Sequence, residues 1–504
     1  MRRSAHSLCQ KLVLFLGVAA FAACSTVALA QSEADLPDIG NPAGALFSKN
    51  DELAYGMMVE REMRAENQIL EDPETAEYIQ SLGTRLAAQS IMGAANFHYY
   101  VIDDPAVNAF SVPYYIFCNY GLILATESES QLAGVLAHET AHDTQHHIAR
   151  ELQAQTRQTL TMAAAMLAAV LIGAAGGGAP AIEGGIAAAQ GMAIQQEINF
   201  TRTEEEEADR VGMTYLSLAG FDPEGMPDFF ETLQQKYGYE EGLIPKFLLD
   251  HPVTSDRIAD ARARAAHLER PKDLKDSVDY TLIRERLRVL KAPEGYDILG
   301  YYRKHLETRK PTLADQYGEA IALLKANRPT DAVEVLEPLV AQYQGVTLLR
   351  SALGQAQVAA GQIHDGLTTF SQGEVLFPRN VPLTIRYAEA LIKVGQPKQA
   401  HDLLNDLFNN VEPTPSQIQL IAQAAIAAGD KGDAYDYMGE YYISNGNFPL
   451  AAQQLELALR TPDLTNVQRE RFLARLAEVR DFITEERRAN HGRDPNAGQL
   501  DLAP

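Results

Sequence analysis

The chain has 504 residues and a formal net charge of −24, with 67 acidic residues against 43 basic ones. Such acidity argues against nucleic acid as a partner and against general attraction to anionic lipid. The length predicts several domains with ample hydrophobic core.

The first 30 residues have the pattern of a secretory signal peptide. Arg2, Arg3 and Lys11 precede an apolar run over residues 12–21, and a small-residue cleavage site follows at residues 28–30. The apolar run is too short for a secure membrane span. We therefore expect an exported protein that loses residues 1–30.

Cys24 marks a rival cleavage point that resembles a degenerate lipoprotein motif. Phe21 stands where leucine is usual in that motif, which argues against a lipid anchor on Cys24. Cys9 and Cys24 leave with the signal peptide. Cys118 is then the single cysteine of the mature chain, so no internal disulfide is expected.

A metallopeptidase motif, His138-Glu139-Thr140-Ala141-His142, lies on a predicted helix. Apolar residues precede it at helical spacing, and no proline interrupts the pattern before Arg150. Residues four apart share one face of a helix, so both imidazoles can bind one metal ion. Glu139 can then accept a proton from the water that the metal activates. The alternative is a polar helix that carries two histidines by chance.

The stretch from Gln158 to Gln196 carries one charged residue, Glu183, and a flexible glycine run at 176–178. It allows three interpretations: a buried helical hairpin, a flap over the active site, or a patch that contacts membrane or unfolded substrate. Its most apolar part is shorter than the ~20 residues that a spanning helix needs. We favour a mobile hairpin near the cleft, with peripheral membrane contact as a second use.

A catalytic zinc ion needs a third protein ligand, and the acidic run at 204–207 offers four glutamates. Glu205 and Asp209 share one helix face, where a carboxylate can bind zinc and another can orient a ligating histidine. Spacing alone does not choose among the four glutamates. The alternative is a solvated acidic helix start, although the apolar residues that follow indicate packing.

Several motifs together resemble the gluzincins of metallopeptidase family forty-eight, the family of CAAX prenyl protease and HtpX. They are, in chain order, Asn108-Ala109-Phe110, Gly121-Leu122, Glu129-Ser130-Gln131-Leu132-Ala133, the histidine motif, Glu205 with Asp209, and His251-Pro252 with Arg257. The resemblance covers residues 45–268. It implies a mainly α zinc-protease domain with a small β-sheet. It also implies one zinc ion per chain on His138, His142 and Glu205, with Asp209 in support.

The resemblance implies further roles for His251 and Arg257. His251 would lie near the zinc, where it replaces water or stabilises a transition state, and Arg257 would contact substrate or the oxyanion. Taken alone, a His-Pro pair indicates a turn. Tyr114-Tyr115 departs from a glycine pair of many family members, which would permit positive φ. His146 and His147 are interpreted as surface residues near the helix end.

A second pattern repeats along the C-terminal part of the chain. Asn327, Gly361, Gly395 and Gly429 stand 34 residues apart, and a small residue follows each one five positions later: Ala332, Gly366, Ala400 and Ala434. Gly446 with Ala451 forms a fifth copy out of register. A helix–turn–helix period of 34 residues indicates tetratricopeptide repeats, with a plain helical bundle as the alternative. Stacked repeats form an α-solenoid whose concave surface binds protein segments.

The expected domain order follows from these patterns. It is a signal peptide (1–30), a zinc metallopeptidase domain (45–270), a helical linker (271–310) with a bridging helix over 280–287, a repeat domain (311–484) and a polar, disordered tail (485–504).

This layout resembles the family of periplasmic β-barrel assembly-enhancing proteases of Gram-negative bacteria. The resemblance implies a periplasmic zinc endopeptidase that degrades misfolded or stalled envelope proteins and supports assembly of outer-membrane β-barrel proteins. Unfolded or misassembled outer-membrane proteins would be its substrates, and the repeats would bind the assembly machinery. The alternative is a chaperone or adaptor whose protease is largely latent. Glu139 argues against that alternative, since a scaffold needs no base. An integral membrane protease is disfavoured because long apolar spans are lacking.

Overall fold

The computed structural model describes residues 48–94, 97–155, 187, 200–237, 245–272, 274–308 and 310–491. The expected signal peptide and nearly all of the apolar 158–196 stretch lie outside these residues. Within them, no helix has the length and apolarity needed to cross a membrane. Cys118 is buried and free.

The N-terminal part is mainly helical around a small sheet, as expected. The sheet has the order β1-β3-β2, with β1 (His98–Ile102) parallel and β2 (Ala109–Val112) antiparallel to β3 (Tyr115–Asn119). The helices are α1 (Lys49–Ala65), α2 (Pro73–Ala87), α3 (Tyr120–Ala125), α4 (Glu129–Thr144), α5 (147–155), α6 (200–218), α7 (Gly225–Tyr237), α8 (Lys246–Asp250) and α9 (Ser255–Ala265).

The helix α4 runs through the centre of this part. The Ser128 side chain caps its first turn by accepting a hydrogen bond from the Gln131 backbone N–H. Almost every residue of α4 is buried. The helix α6 crosses it closely at Gly212, where an added Cβ would lie 2.9 Å from the Ala137 carbonyl oxygen. This close crossing brings the acidic start of α6 beside the histidines of α4.

The turn between β2 and β3 contains Tyr114, at a position where the family resemblance leads one to expect a glycine. Its φ is +69°, so a tyrosine adopts the left-handed conformation that glycine would favour. Such strain costs about 1–2 kcal/mol. The buried Tyr114 ring and a 2.6 Å hydrogen bond from its backbone N–H to Asp143 Oδ2 offset that cost. The turn therefore keeps the conformation that a glycine would permit.

The C-terminal part is an α-solenoid of paired helices. They are α12 (Leu313–Lys325), α13 (Pro329–Gln342), α14 (Thr347–Ala359), α15 (Ile363–Leu376), α16 (Val381–Lys393), α17 (Pro397–Phe408), α18 (Pro415–Ala427), α19 (Lys431–Ser444), α20 (Phe448–Leu459) and α21 (Asn466–His491), which follow α10 (Val278–Leu290) and α11 (Ile298–Thr308). The helix α21 extends to His491, into the stretch expected to be disordered.

The 34-residue period has a direct structural basis. Each recurring position ends a helix with positive φ: Asn327 (55°), Gly361 (81°), Gly395 (78°), Gly429 (91°) and, out of period, Gly446 (71°). The small residue that follows is buried where two helices cross; Ala332, Ala400 and Ala451 have no exposed surface. The left-handed turn and the close crossing therefore explain both halves of the pattern.

The stretch expected to link the two parts is instead part of the core. Leu282, Ile283 and Leu287 of α10 are fully buried, in one continuous apolar cluster with residues of α2, α4 and α12–α14. The solenoid also curves back onto the peptidase part, since Arg61 of α1 donates a 2.9 Å hydrogen bond to the Ser444 carbonyl oxygen. The two parts are packed together and not merely tethered.

Candidate metal centre

Four side chains converge at the centre of the peptidase part. His138 and His142 lie on α4 and Glu205 lies on α6. His251 directly follows α8 as its C-cap residue. One nitrogen or oxygen atom from each lies within 4.8 Å of the others. The structure thus brings together the three predicted ligands and the histidine that sequence reasoning placed near them.

The distances define which atoms face one another. The Nε2 atoms of His138 and His142 are 3.0 Å apart, and Glu205 Oε1 lies 3.3 Å from His142 Nε2. His251 faces the cluster with Nδ1 and not Nε2, because its Nδ1 lies 2.8 Å from Glu205 Oε1 and 3.4 Å from His138 Nε2. Three imidazole nitrogens and a carboxylate oxygen therefore point at one small volume.

The electrostatics of the four groups suit a cation between them. Burial lowers the pKa of His142 to about 3, so its ring is neutral, as a metal ligand must be. Burial would also lower the pKa of His138, but the carboxylates of Asp209 and Glu205 outweigh it and raise that pKa to about 10. Burial would raise the pKa of Glu205, yet the three histidines hold it well below its usual range. The cluster thus favours positive charge, and its nitrogen and oxygen donors match those of divalent metals.

Asp209 and Arg257 lie behind the cluster. Asp209 Oδ1 is 3.0 Å from His138 Nδ1, which leaves His138 Nε2 to face the metal position. Arg257 forms a two-pronged ion pair with Asp209, with both distances at 2.8 Å, and its Nη1 lies 2.8 Å from Glu205 Oε2. This placement differs from the substrate contact expected for Arg257, because its side chain is buried and already paired. Arg257 holds the two carboxylates in position.

His147 was missed as a site residue by sequence reasoning. It is buried, and its Nδ1 lies 2.8 Å from Nδ1 of His142. Its Nε2 faces Glu207 Oε2 at 3.3 Å. The interpretation of His147 as a surface residue is therefore wrong. Its position five residues after His142 was the available signal. His146, by contrast, is half-buried and contacts Glu52 Oε1 at 3.0 Å.

The carboxylate of Glu139 lies beside the cluster. It is buried, and its Oε1 atom makes no hydrogen bond to any described residue. His251 Nε2 lies 3.5 Å from that oxygen. A buried carboxylate oxygen without a partner is costly, which is consistent with a role towards a reactant that the folded chain does not itself supply.

Comparisons with known proteins agree with this geometry. The sequence matches the profile of Peptidase family M48 over residues 73–265. The Beta-barrel assembly-enhancing protease of Escherichia coli K12 is 30% identical over 463 residues, which cover 90% of this chain and 93% of that protein. The chain belongs to peptidase family M48. A Putative beta-barrel assembly-enhancing protease of Vibrio cholerae is 33% identical over 465 residues, 90% of this chain and 94% of that protein.

Another relative matches a shorter stretch of the chain. The Mitochondrial metalloendopeptidase OMA1 of Schizosaccharomyces pombe is 31% identical over 185 residues, 36% of this chain and 51% of that protein. Membership of peptidase family M48 makes the protein a metalloendopeptidase that uses a divalent metal ion.

A cavity of about 330 Å³ opens beside the metal donors of this M48 site. Glu139, His142, Glu205 and His251 line one side of it, and residues 110–113 of β2 and its turn line another. The strand β2 is an edge of the sheet. An edge strand can pair with an extended peptide, so the cavity can hold a substrate chain next to the reactive groups.

Proposed function

We propose that this protein is a zinc-dependent endopeptidase of the periplasm. His138, His142 and Glu205 would hold one zinc ion per chain, and the observation that carries the proposal is their convergence in one buried cluster. Two histidines and a glutamate are a ligand set that catalytic zinc uses, with water in the fourth position. The two histidines lie on α4 and the glutamate lies on α6, so this ligand set forms only when the two helices pack together.

Each nearby residue then has a defined task. Zinc supplies Lewis acidity and makes water a better nucleophile at neutral pH. Glu139 accepts the proton of the attacking water and later passes it to the leaving amine. Asp209 fixes the ring of His138, and Arg257 fixes Asp209 and Glu205 through its ion pairs.

His251 supports a resting state that is closed. Its Nδ1 lies among the metal donors, while its Nε2 faces the free oxygen of Glu139. In this arrangement one imidazole occupies the position that water needs and also lies against the base. We infer that His251 must move before substrate can react. An endopeptidase with this arrangement would be latent until an event displaces α8, which ends at His251.

The proposed substrates are misfolded or stalled proteins of the cell envelope, above all unfolded or misassembled outer-membrane β-barrel proteins. Two observations support this class: relatives named for β-barrel assembly share the whole layout, and the cavity beside an edge strand fits an extended chain. The solenoid would bind the outer-membrane assembly machinery, since such surfaces commonly bind protein segments.

A second function is a chaperone or adaptor in which proteolysis is rare. The observation that favours it is the position of His251 Nδ1 among the metal donors, at 2.8 Å from Glu205 Oε1. In that case the solenoid would do most of the work.

The experiment that tests the proposal combines metal analysis with cleavage of a loosely folded protein such as casein, on wild type and Glu139→Gln. We expect about one zinc ion in each protein and hydrolysis by the wild type alone, because the substitution removes the base and leaves the ligands. Equal hydrolysis by both proteins would contradict the mechanism, and absence of zinc from both would contradict the metal assignment.

A further inference from the structure

The cavity beside the metal donors is strongly acidic. Besides Glu139 and Glu205, five carboxylates line it: Glu52, Asp143, Glu151, Glu204 and Asp250. No lysine or arginine is among its described lining residues. A divalent cation bound at the centre would be balanced by Glu139 and Glu205, so the remaining carboxylates leave a net negative surface.

Four of the five carboxylates have partners within the described chain. Glu52 contacts His146 Nδ1 at 3.0 Å, and Asp143 accepts the backbone N–H of Tyr114. The other two are less tightly held. Glu151 accepts a 3.2 Å hydrogen bond from the Gln155 side chain, and Asp250 Oδ2 lies 3.5 Å from Asn108 Nδ2.

Glu204 differs from these four. The residue is only 8% exposed, and its Oε1 atom is buried without a hydrogen-bond partner in the described chain. Arg150 of α5 does not supply that partner, because its Nη1 donates a 2.7 Å hydrogen bond to Glu207 Oε2. A buried carboxylate that lacks a partner is unfavourable. Glu204 lines the cavity, so a bound molecule can supply the missing partner.

The other walls of the cavity fit the rest of a long basic side chain. Val112, Ile148 and Ala149 give apolar surface to the same space. Lysine and arginine bury a hydrocarbon stem against such surface and keep the charged end for a carboxylate. The hydrocarbon stem of such a side chain therefore fits the apolar wall of the cavity, and its charged end fits the acidic wall.

We propose that this cavity is a specificity pocket for a basic residue of the substrate, a lysine or an arginine, with Glu204 as the carboxylate that receives its charge. This inference rests on the proposed endopeptidase function and names the substrate class of that same site. The protein would cut envelope proteins beside basic residues in exposed or unfolded segments.

The first test uses the intact zinc-loaded protein and three peptides that share an otherwise neutral sequence and differ at a single position, where they carry lysine, norleucine or glutamate. We expect kcat/KM for the lysine peptide to exceed that for norleucine by about tenfold, and glutamate to be the poorest. Mass spectrometry of the products identifies on which side of the bond the basic residue lies. Equal kcat/KM for the lysine and norleucine peptides would overturn the inference.

The second test replaces Glu204 with glutamine and uses Glu206→Gln as a matched control. Glu206 lies two residues away, is exposed and contacts Arg202 at 3.1 Å. Glu204→Gln should remove most of the lysine preference while zinc content and melting temperature stay close to wild type. Glu206→Gln should keep the preference. An unchanged preference in Glu204→Gln would overturn the role of Glu204, and the wild-type peptide comparison stands by itself if this variant does not fold.

A binding measurement separates the inference from the proposed function. In zinc-loaded Glu139→Gln, fluorescence anisotropy should give a Kd about tenfold lower for the lysine peptide than for norleucine, with the difference shrinking at high salt. Selective binding without wild-type cleavage of any peptide would contradict the endopeptidase function and keep the pocket. Cleavage of all three peptides with equal binding would keep the function and overturn the pocket.

Discussion

The Nδ1 atom of His147 lies 2.8 Å from the Nδ1 atom of His142, and His147 Nε2 lies 3.3 Å from Glu207 Oε2. Burial lowers the pKa of His147 to about 4, so the ring is neutral and carries one proton. The Glu207 carboxylate only accepts, so that proton belongs on His147 Nε2. His147 Nδ1 then accepts from His142 Nδ1–H, which leaves His142 Nε2 free for the metal.

His147→Ala should therefore weaken metal binding on the order of ten- to a hundredfold, because His142 loses the group that fixes its tautomer and orientation. The measurement is zinc transfer to a fluorescent chelator from each loaded protein. His147→Gln, which keeps an acceptor oxygen, should recover part of the affinity, whereas a purely structural role would not follow hydrogen-bonding capacity. Identical zinc affinity in wild type and His147→Ala would show that His142 needs no support.

Glu205→Gln should lose zinc, since it removes the charged ligand from the centre of the cluster and leaves Arg257 near a neutral amide. The measurement is zinc per chain after dialysis. Glu204→Gln and Glu206→Gln are the matched controls and should keep about one zinc ion each, because neither side chain belongs to the cluster. Retention of zinc by Glu205→Gln with loss in a neighbour would mean that another glutamate is the ligand.

His251→Ala should raise proteolysis or cause self-cleavage, because it removes the ring that lies among the metal donors and against Glu139. The measurement is casein hydrolysis and the appearance of fragments of the protein during storage. A fall in activity would instead assign His251 to transition-state stabilisation. Unchanged activity would make it a structural residue.

Arg386→Gln should destabilise the whole protein by about 3 kcal/mol, because it breaks a buried ion cluster. Arg386 Nη2 lies 2.7 Å from Glu74 Oε2, and Arg286 Nη2 lies 2.6 Å from Asp72 Oδ1, at the start of α2. Thermal denaturation checks this, with Arg379→Gln as the control, since Arg379 is an exposed partner of Asp406. Equal melting temperatures for the two variants would mean that the solenoid is held by apolar packing alone.

Removal of the end of the solenoid should weaken partner binding while preserving metal binding and proteolysis. A chain that ends at Asn410 keeps Arg386 and the apolar cluster shared with α12–α14. We expect it to retain zinc and cleave casein, but to recover less of the outer-membrane assembly machinery from envelope extract than the full chain does. Equal recovery by both chains would move the partner surface elsewhere. Loss of zinc would show that α18–α21 support the metal centre.

The chemistry of the centre could be predicted from local spacing because a single helix fixes it. His138, Glu139 and His142 lie on one stretch of α4, so the helical repeat alone puts two rings on one face. The positive-φ turns at Gly361 and Gly395 could likewise be predicted from the sequence, because each 34-residue repeat contains one such turn and one helix crossing. The choice of Glu205 among four glutamates needed the family resemblance, and its position in the cluster agrees with that choice.

Other relationships depended on contacts between distant parts of the chain. Arg257 was expected to contact substrate, but it is buried and paired with Asp209 and Glu205. The helix α10 was expected to lie in a linker, but its apolar residues belong to the hydrophobic core. The spacing of residues along the sequence does not show which buried side chain will contact which residue of a distant helix. The sequence by itself placed His138, Glu139 and His142 on one helix and determined the 34-residue repeats. Only the tertiary structure decided that His147 supports His142, that His251 lies against Glu139 and that Glu204 faces an acidic cavity, because burial and pairing are set when separate helices pack together.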